Sequence, residues 1–480
     1  MTATTTRTPF VSKAPKLGLV GSFDGLRGMG VCMLLVGHAL FGYVESWVTI
    51  IDAFFVLSGF LITTLLIQEH RSTKTIDLKK FYQRRAVRLL PSVVLFVGVW
   101  LVISVIATLI GYEKLSLRYV GADALAALTY MYHLVFPNGL YMIEPTVQSQ
   151  RTMWHLWTLS VEEWFYIAIA GTVFICLKRR WVAQLGLIMG GVFVAIGIAR
   201  WFAYTGFWQD NDGMIAGVRL IFIQRPDALM LGVAIACLNA YLTQERLDRI
   251  RKPLIAVGTV GLVVWFVMLN LSSGFIQKLG GPYVDYLPSK PSEFTRPHML
   301  DHMYWFRFGH TIGALAFATV LFCLCRYRTW WPSKFWEHSS LQWMGRLSYT
   351  LYIWHAMPYL LIFALTGGED ASPAVTILRV PILIAGAFLF AMPVYYFVEL
   401  RVLKAKLKFS AEKEALDLRT GKMVQVEVTG AKASSEAAAA PASGGTVESS
   451  APTASVGSGA EDAGLAEREG APGGPGAPVV

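Results

Sequence analysis

Between Phe23 and Leu400 the chain repeats one pattern, an apolar run of about 20 residues followed by a polar break. A run of that length forms a helix that crosses the roughly 30 Å hydrocarbon core of a bilayer. Lipid offers the backbone no hydrogen-bond partners, so a spanning segment of this kind must be helical. The pattern therefore predicts an all-α polytopic membrane protein. Composition agrees: 54% of the 480 residues are apolar, 15% are charged and the mean hydropathy is +0.48. A soluble chain would carry roughly 25% charged residues.

Ten spans are expected, at about 23–43, 47–67, 90–110, 159–177, 182–204, 220–243, 253–275, 306–325, 341–365 and 376–400. The loop "QEHRSTKTIDLKKFYQRRAVR", residues 68–88, holds seven Lys/Arg against two acids, which marks it as cytoplasmic. The stretch 119–136 is long enough to span but contains Gly121, Asp123 and His133. If it does not span, "KRR" at 178–180 and the basic loops near 246–252 and 326–334 all fall inside. It is therefore read as re-entrant or peripheral on the outer side. Both termini then lie in the cytoplasm, with outer loops at 111–158, 205–219, 276–305 and 366–375.

Three domains follow: a mobile cytoplasmic arm at 1–21, a membrane domain at 22–404 and a low-complexity tail at 405–480. From about residue 411 the chain is Ala, Gly, Ser, Pro and Glu, too poor in large apolar residues to offset the entropy of ordering. A short helix over "AEKEALDLRTGK" could precede the disordered part. No cleavable signal peptide is expected, since the first apolar run opens with Asp24 and Arg27 and lacks a small-residue cleavage site. The net charge of +10 is read as membrane topology, with no nucleic-acid partner. The five cysteines lie in or beside apolar runs and form no CxxC pair, so neither a disulfide framework nor a metal site is expected.

The first span, "FDGLRGMGVCMLLVGHAL", carries a fixed cation and a titratable imidazole. Arg27 and His38 are eleven residues apart, which is about 1100° of helix, within about 20° of three turns. They share one face, about 16.5 Å apart along the axis, with Arg27 toward the cytoplasm and His38 in the outer half. An ionisable group inside a bilayer costs about 2.5–3.5 kcal/mol even on lenient scales, so such a face turns to the bundle interior. The structural alternative pairs Arg27 with Asp24, three residues earlier, and hydrogen-bonds His38 in the core.

Other polar interruptions point inward too. Asp52 opens the second span, about level with His38, and is placed to orient an imidazole; Ser58 and Gly59 there suggest close helix packing. Arg85 and Arg88 face the same way on a helical turn, and their forks suit either headgroups or the phosphates of a bound anion; Pro91 then opens the third span. "MWHLWTLSVEEWF" holds His155, Ser160, Glu162 and Glu163 among three tryptophans. Adjacent carboxylates project about 100° apart, so at most one of the two faces His38. Arg225 and Asp227 in "RPDALMLG", and Arg346, Ser348, Tyr349 and His355 in "GRLSYTLYIWH", complete a polar interior.

Taken in order, "FDGLRGMGVCMLLVGHAL", "IDAFFVLSGFLI", "RRAVRLLP", "WHLWTLSVEEWFY", "RPDALMLG", "GRLSYTLYIWH" and "YYFVELRVLK" resemble the membrane acyltransferase 3 family. The resemblance covers about 23–404. Its arginine–histidine motif falls on Arg27 and His38, its paired arginines on Arg85 and Arg88, and its tandem glutamates on Glu162 and Glu163. Family members often have Gln where this chain has Trp164, a difference that bears on the acceptor pocket. No esterase-like domain is evident, so the resemblance is to the stand-alone form.

The resemblance implies an integral-membrane O-acyltransferase with no bound cofactor. The acyl group (acetyl, succinyl or similar) comes from a cytoplasmic donor, acyl-CoA, and goes to a hydroxyl of a carbohydrate, glycolipid or small molecule at the outer face of the plasma membrane. His38 is then the general base or transient acyl carrier, assisted by Glu162 or Glu163. Arg27, Arg85 and Arg88 hold the donor, with Asp24, Asp52, Arg225, Asp227 and His355 as supporting polar groups. A transporter or flippase of a lipid-linked or acylated molecule is the rival reading, since ionisable groups also line transport pathways.

Overall fold

The computed structural model describes residues 10–40, 47, 49–112, 115–135, 152–206, 224–272, 308–366, 372–402, 414–417 and 422–425. In chain order the helices are α1 (Gly21–Ala39), α2 (Thr49–Thr73), α3 (Leu78–Leu109), α4 (Leu117–Leu128), α5 (Tyr132–Val135), α6 (Trp157–Arg179), α7 (Val182–Gly206), α8 (Pro226–Tyr241), α9 (Gln244–Arg249), α10 (Arg251–Leu271), α11 (His310–Arg326), α12 (Trp331–Trp336), α13 (Ser339–Trp354), α14 (Ala356–Leu365) and α15 (Pro373–Pro393). A π-helical turn, Val394–Glu399, extends α15.

Six helices among the described residues are long and apolar enough to cross a membrane: Thr49–Thr73, Leu78–Leu109, Trp154–Arg179, Val182–Trp201, Arg251–Leu271 and Ala374–Val402. They coincide with six of the ten expected spans. The other four take different forms. α1 carries Asp24 and Arg27 within its 19 residues. α8 and α11 are apolar helices of 16 and 17 residues, with residues 207–223 and 273–307 outside the described set. The span expected at 341–365 is divided at His355 into α13 and α14.

Burial separates a core from a periphery. In α2, 72% of the most apolar window is buried, against 17% in α7 and 22% in α10. Glycines let the central helices approach at two crossings. A Cβ on Gly25 or Gly28 of α1 would fall on the carbonyls of Trp336 and Leu341, and one on Gly345 of α13 on that of Asp24. A Cβ on Gly59 of α2 would strike the Leu229 carbonyl, and one on Gly232 of α8 that of Val56. This is the small-residue packing through which membrane helices bring their backbones together.

The third span and the basic loop before it need correction, whereas the 119–136 stretch does not span, as expected. Pro91 does not open the third span but lies inside α3, which runs unbroken from Leu78. Asp77 starts that helix by accepting the Lys80 amide at 3.0 Å, so most of the basic loop is helical. The 119–136 stretch forms α4, only 12 residues and about 18 Å long, too short to cross. The helix ends at Leu128, and Tyr130, whose φ is 53°, turns the chain before α5 begins.

The arm expected to be mobile is, over residues 10–20, pinned to the bundle. Lys13 donates its amide to the Ala240 carbonyl (2.7 Å), Arg71 caps the Ala14 carbonyl (2.8 Å), and Arg328 caps that of Leu17 (2.5 Å). Ala14, Leu17 and Val20 are buried there.

Of 405–480, the described residues are β1 (Glu414–Asp417) and β2 (Lys422–Gln425), an antiparallel pair with Glu414 opposite Gln425. The short helix expected over "AEKEALDLRTGK" is replaced by this pairing. It sets Ala415 against Val424 and Asp417 against Lys422, an apolar and an opposite-charge cross-strand pair. The rest of the tail lies outside the described residues.

Candidate active site

A cavity of about 410 Å³ is walled by α1, α2, α3, α6, α13 and the pinned segment Leu17–Val20. Three arginines, Arg27, Arg85 and Arg88, line it together with two carboxylates, Asp24 and Glu162, and with His38 and His155. The rest is largely apolar and aromatic, including Trp154, Trp157, Phe54 and Phe55. This is the composition of a small-molecule site, an apolar chamber with a few convergent polar groups.

Each helix contributes for a local reason. α1 delivers Arg27 and His38 to the same chamber, as three full turns between them require. Arg27 keeps its carboxylate neighbour at a loose 3.6 Å from Asp24. α3 presents Arg85 and Arg88 from one face. Arg85 lies 3.4 Å from Glu163 and stacks 3.5 Å above the Tyr166 ring. Arg88 is exposed to the cavity and, among the described residues, has no carboxylate within ion-pair distance. It is the cation most available to an incoming anion.

The tandem glutamates divide as their 100° offset requires. Glu162 lines the cavity and accepts the Ser58 hydroxyl at 2.9 Å, while Glu163 turns to Arg85 behind the wall. Arg85 is thereby held by a carboxylate, an aromatic face and the helix it sits on.

His38 lies among rings. Its centroid is 5.3 Å from His355, 5.4 Å from Trp154 and 5.6 Å from Tyr359. His355 stands behind His38 and does not line the cavity. No hydrogen bond joins Glu162 or Glu163 to His38.

Asp52 does orient an imidazole, but that of His310 rather than His38. Its carboxylate lies 2.7 Å from His310 Nδ1 and 3.0 Å from Arg225. Beside it, Arg200 donates to both oxygens of Asp227 at 2.9 and 3.0 Å and to Thr311 at 2.8 Å. Asp52, Arg200, Arg225, Asp227 and His310 are all at most 2% exposed, and none lines the cavity. The supporting roles expected of Asp52, Arg225 and Asp227 therefore belong to a separate, closed cluster between α2, α7, α8 and α11. Arg225 enters it from the left-handed backbone region, with φ 47°, immediately before Pro226.

Sequence reasoning placed His155, Tyr349 and Ser58 in the polar interior without a role; His155 and Tyr349 line the cavity and Ser58 anchors Glu162. It missed Tyr166 and Tyr352, which also line the cavity. Arg200 and His310 complete the closed cluster. A count of ionisable groups inside apolar runs would have found Arg200 and His310. Nothing in spacing alone reveals that Tyr352 meets Thr158 across α6 and α13, at 2.6 Å. Among the described residues no group of His, Cys, Asp or Glu is arranged to hold a metal ion.

A family model described as an acyltransferase domain matches residues 20–396. The chain belongs to the acyltransferase 3 family. It is 27% identical over 338 residues to O-acetyltransferase OatA of Staphylococcus aureus strain NCTC 8325 / PS 47, covering 69% of this chain and 49% of that protein. It is also 27% identical over 362 residues to SACOL0978 of S. aureus strain COL, provisionally named an O-acetyltransferase, covering 73% of this chain and 52% of that one. The chain thus spans about half the length of the curated relatives it matches. No solved structure matches it significantly. Family and helix pattern together make the protein a multi-pass membrane member of the acyltransferase 3 family.

Proposed function

We propose that the protein transfers an acyl group from acyl-CoA, bound at the cytoplasmic side, to a hydroxyl of a carbohydrate, glycolipid or small acceptor reached from the outer face of the plasma membrane. The observation that carries this reading is one cavity holding, at separated places, an arginine with no ion-pair partner among the described residues, for an anionic donor, and an imidazole for a hydroxyl. α1 alone separates Arg27 from His38 by about 16.5 Å along its axis. That is room for an extended thioester arm between a phosphate end and a reacting carbonyl.

In this mechanism Arg88, flanked by Arg85 and Arg27, binds the phosphates of the donor with charge-assisted hydrogen bonds. His38 removes the proton of the acceptor hydroxyl as its oxygen attacks the thioester carbonyl. The tetrahedral intermediate expels the CoA thiolate, which takes the proton back from the imidazolium. An ester and free CoA leave, and His38 returns to its starting state. Glu162, steadied by Ser58, accepts a hydrogen bond from another donor group of the substrate. The apolar walls exclude water that would otherwise hydrolyse the thioester.

The test is purified protein in lipid nanodiscs with isotope-labelled acetyl-CoA and a panel of methyl glycosides. The expected result is an O-acetyl ester on the glycoside together with free CoA. Movement of a lipid-linked or acylated molecule across the membrane, with the thioester left intact, would overturn the reading in favour of a transporter.

A further inference from the structure

Among the described residues, no carboxylate of the kind that usually fixes a catalytic imidazole bonds to His38. The acids expected near it bond elsewhere, Asp52 to His310 and Arg225, Glu162 to Ser58, and Glu163 to Arg85. What His38 has instead is a second and third imidazole. His355 lies 5.3 Å away centroid to centroid with the ring planes 23° apart, and His155 lies 5.1 Å beyond His355.

The tautomers of these two neighbours are set by backbone carbonyls, which can only accept. His355 Nδ1 lies 2.6 Å from the Tyr352 carbonyl and therefore carries the hydrogen. His155 Nε2 lies 3.1 Å from the Ile353 carbonyl and does the same. In the neutral rings this leaves two buried lone pairs, on His355 Nε2 and His155 Nδ1, and neither has a partner among the described residues. A buried acceptor without a donor costs about 1–3 kcal/mol. Of the three imidazoles, His38 holds the one N–H not engaged by a carbonyl. In the structure the two rings are stacked and no hydrogen bond joins them, but 5.3 Å between centroids is close to the roughly 5 Å that an N–H···N bond between imidazoles spans, so a turn of the His38 ring closes the pair.

We propose that His355 is the positioning residue of His38, accepting its N–H at Nε2 so that the other ring nitrogen presents a lone pair to the acceptor hydroxyl. The base is thus half of a histidine–histidine dyad fixed by the Tyr352 carbonyl. A neutral partner suits this buried position, since a carboxylate there would itself be a charge to keep desolvated. The break between α13 and α14 serves the same end. His355 lies at that junction, and its ring bonds back to the carbonyl three residues earlier. The assignment rests on the acyl-transfer reading for its consequence, though not for its geometry.

Two substitutions separate its two nitrogens. His355→Asn keeps a donor at the Nδ1 position for Tyr352 and removes the acceptor at Nε2. His355→Gln places an amide at the Nε2 position and leaves the Tyr352 carbonyl unserved. In nanodiscs with acetyl-CoA and methyl glycosides, His355→Asn is expected to lose about tenfold in kcat, the effect of one hydrogen bond, with the KM for acetyl-CoA unchanged. His355→Gln is expected to recover most of that loss. A readout independent of turnover is the rate at which diethyl pyrocarbonate carbethoxylates His38, followed by peptide mass spectrometry. It should fall several-fold in His355→Asn and recover in His355→Gln. Equal rates at His38 in the wild type and both variants would overturn the dyad, whether or not the protein transfers acyl groups. Normal His38 labelling behaviour with no acetylated glycoside from the wild type would instead overturn the acyl-transfer reading alone. If either variant fails to fold, the other still decides: labelling at wild-type rate in Asn, or depressed labelling in Gln, contradicts the assignment.

Discussion

Two groups of ionisable side chains lie inside this bundle, and they differ in how completely they are paired. In the closed cluster, Asp52, Arg225, His310, Arg200 and Asp227 meet at 2.7–3.0 Å and are at most 2% exposed. In the cavity, the ion pairs of Arg27 and Arg85 stretch to 3.6 and 3.4 Å, their partners are partly exposed, and Arg88 has none among the described residues. A buried pair at close range holds helices together, because removing either partner strands the other charge. A loosely paired cation lining a chamber is stabilised only partly by the protein and gains by binding an anion. On the proposed function, the closed cluster serves the fold and the open one the chemistry.

That contrast can be broken from either side. The largest structural effect is expected of Asp227→Ala, which leaves the Arg200 guanidinium buried without its carboxylate. It should destabilise the protein by about 3–5 kcal/mol, read as a large drop in the melting temperature of the nanodisc-embedded protein. A variant that melts like the wild type yet transfers no acyl group would move the closed cluster into the mechanism. Next is Arg88→Ala, expected to raise the KM for acetyl-CoA about 10–100-fold, the contribution of a charged hydrogen bond, with melting unchanged. A fall in melting temperature with an unaltered KM would make Arg88 a structural residue. The smallest effect is expected of Glu245→Ala. Its pair with Arg249 has side chains 74% and 78% exposed, and its removal should change neither melting nor transfer.

The membrane architecture was legible in the sequence because apolar length is a one-dimensional property. So was the sharing of one chamber by Arg27 and His38, which needs only the helical repeat, and the divergence of Glu162 and Glu163, which needs only the 100° step. Pairing across helices was not legible. Asp52 was placed at the right depth to orient an imidazole, but depth does not say which of two histidines lies across from it. His310 was the neighbour because α2 packs on α11 there, a contact between residues 258 apart in the chain. The pinned segment 10–20 was missed for a similar reason. It reads as a polar arm, and its order comes from Arg71 and Arg328, two side chains remote in sequence that cap its carbonyls. The run through Pro91 was missed because proline is a helix breaker in water, whereas a membrane bundle tolerates it.

The most direct measurement of the central claim is the acyl-transfer rate of His38→Ala beside its melting temperature, in nanodiscs, with labelled acetyl-CoA and the methyl glycosides. The account predicts a loss of about 10²–10⁴-fold in turnover, the contribution of a general base, with melting and acetyl-CoA binding like the wild type. Transfer at the wild-type rate by the folded variant would contradict it.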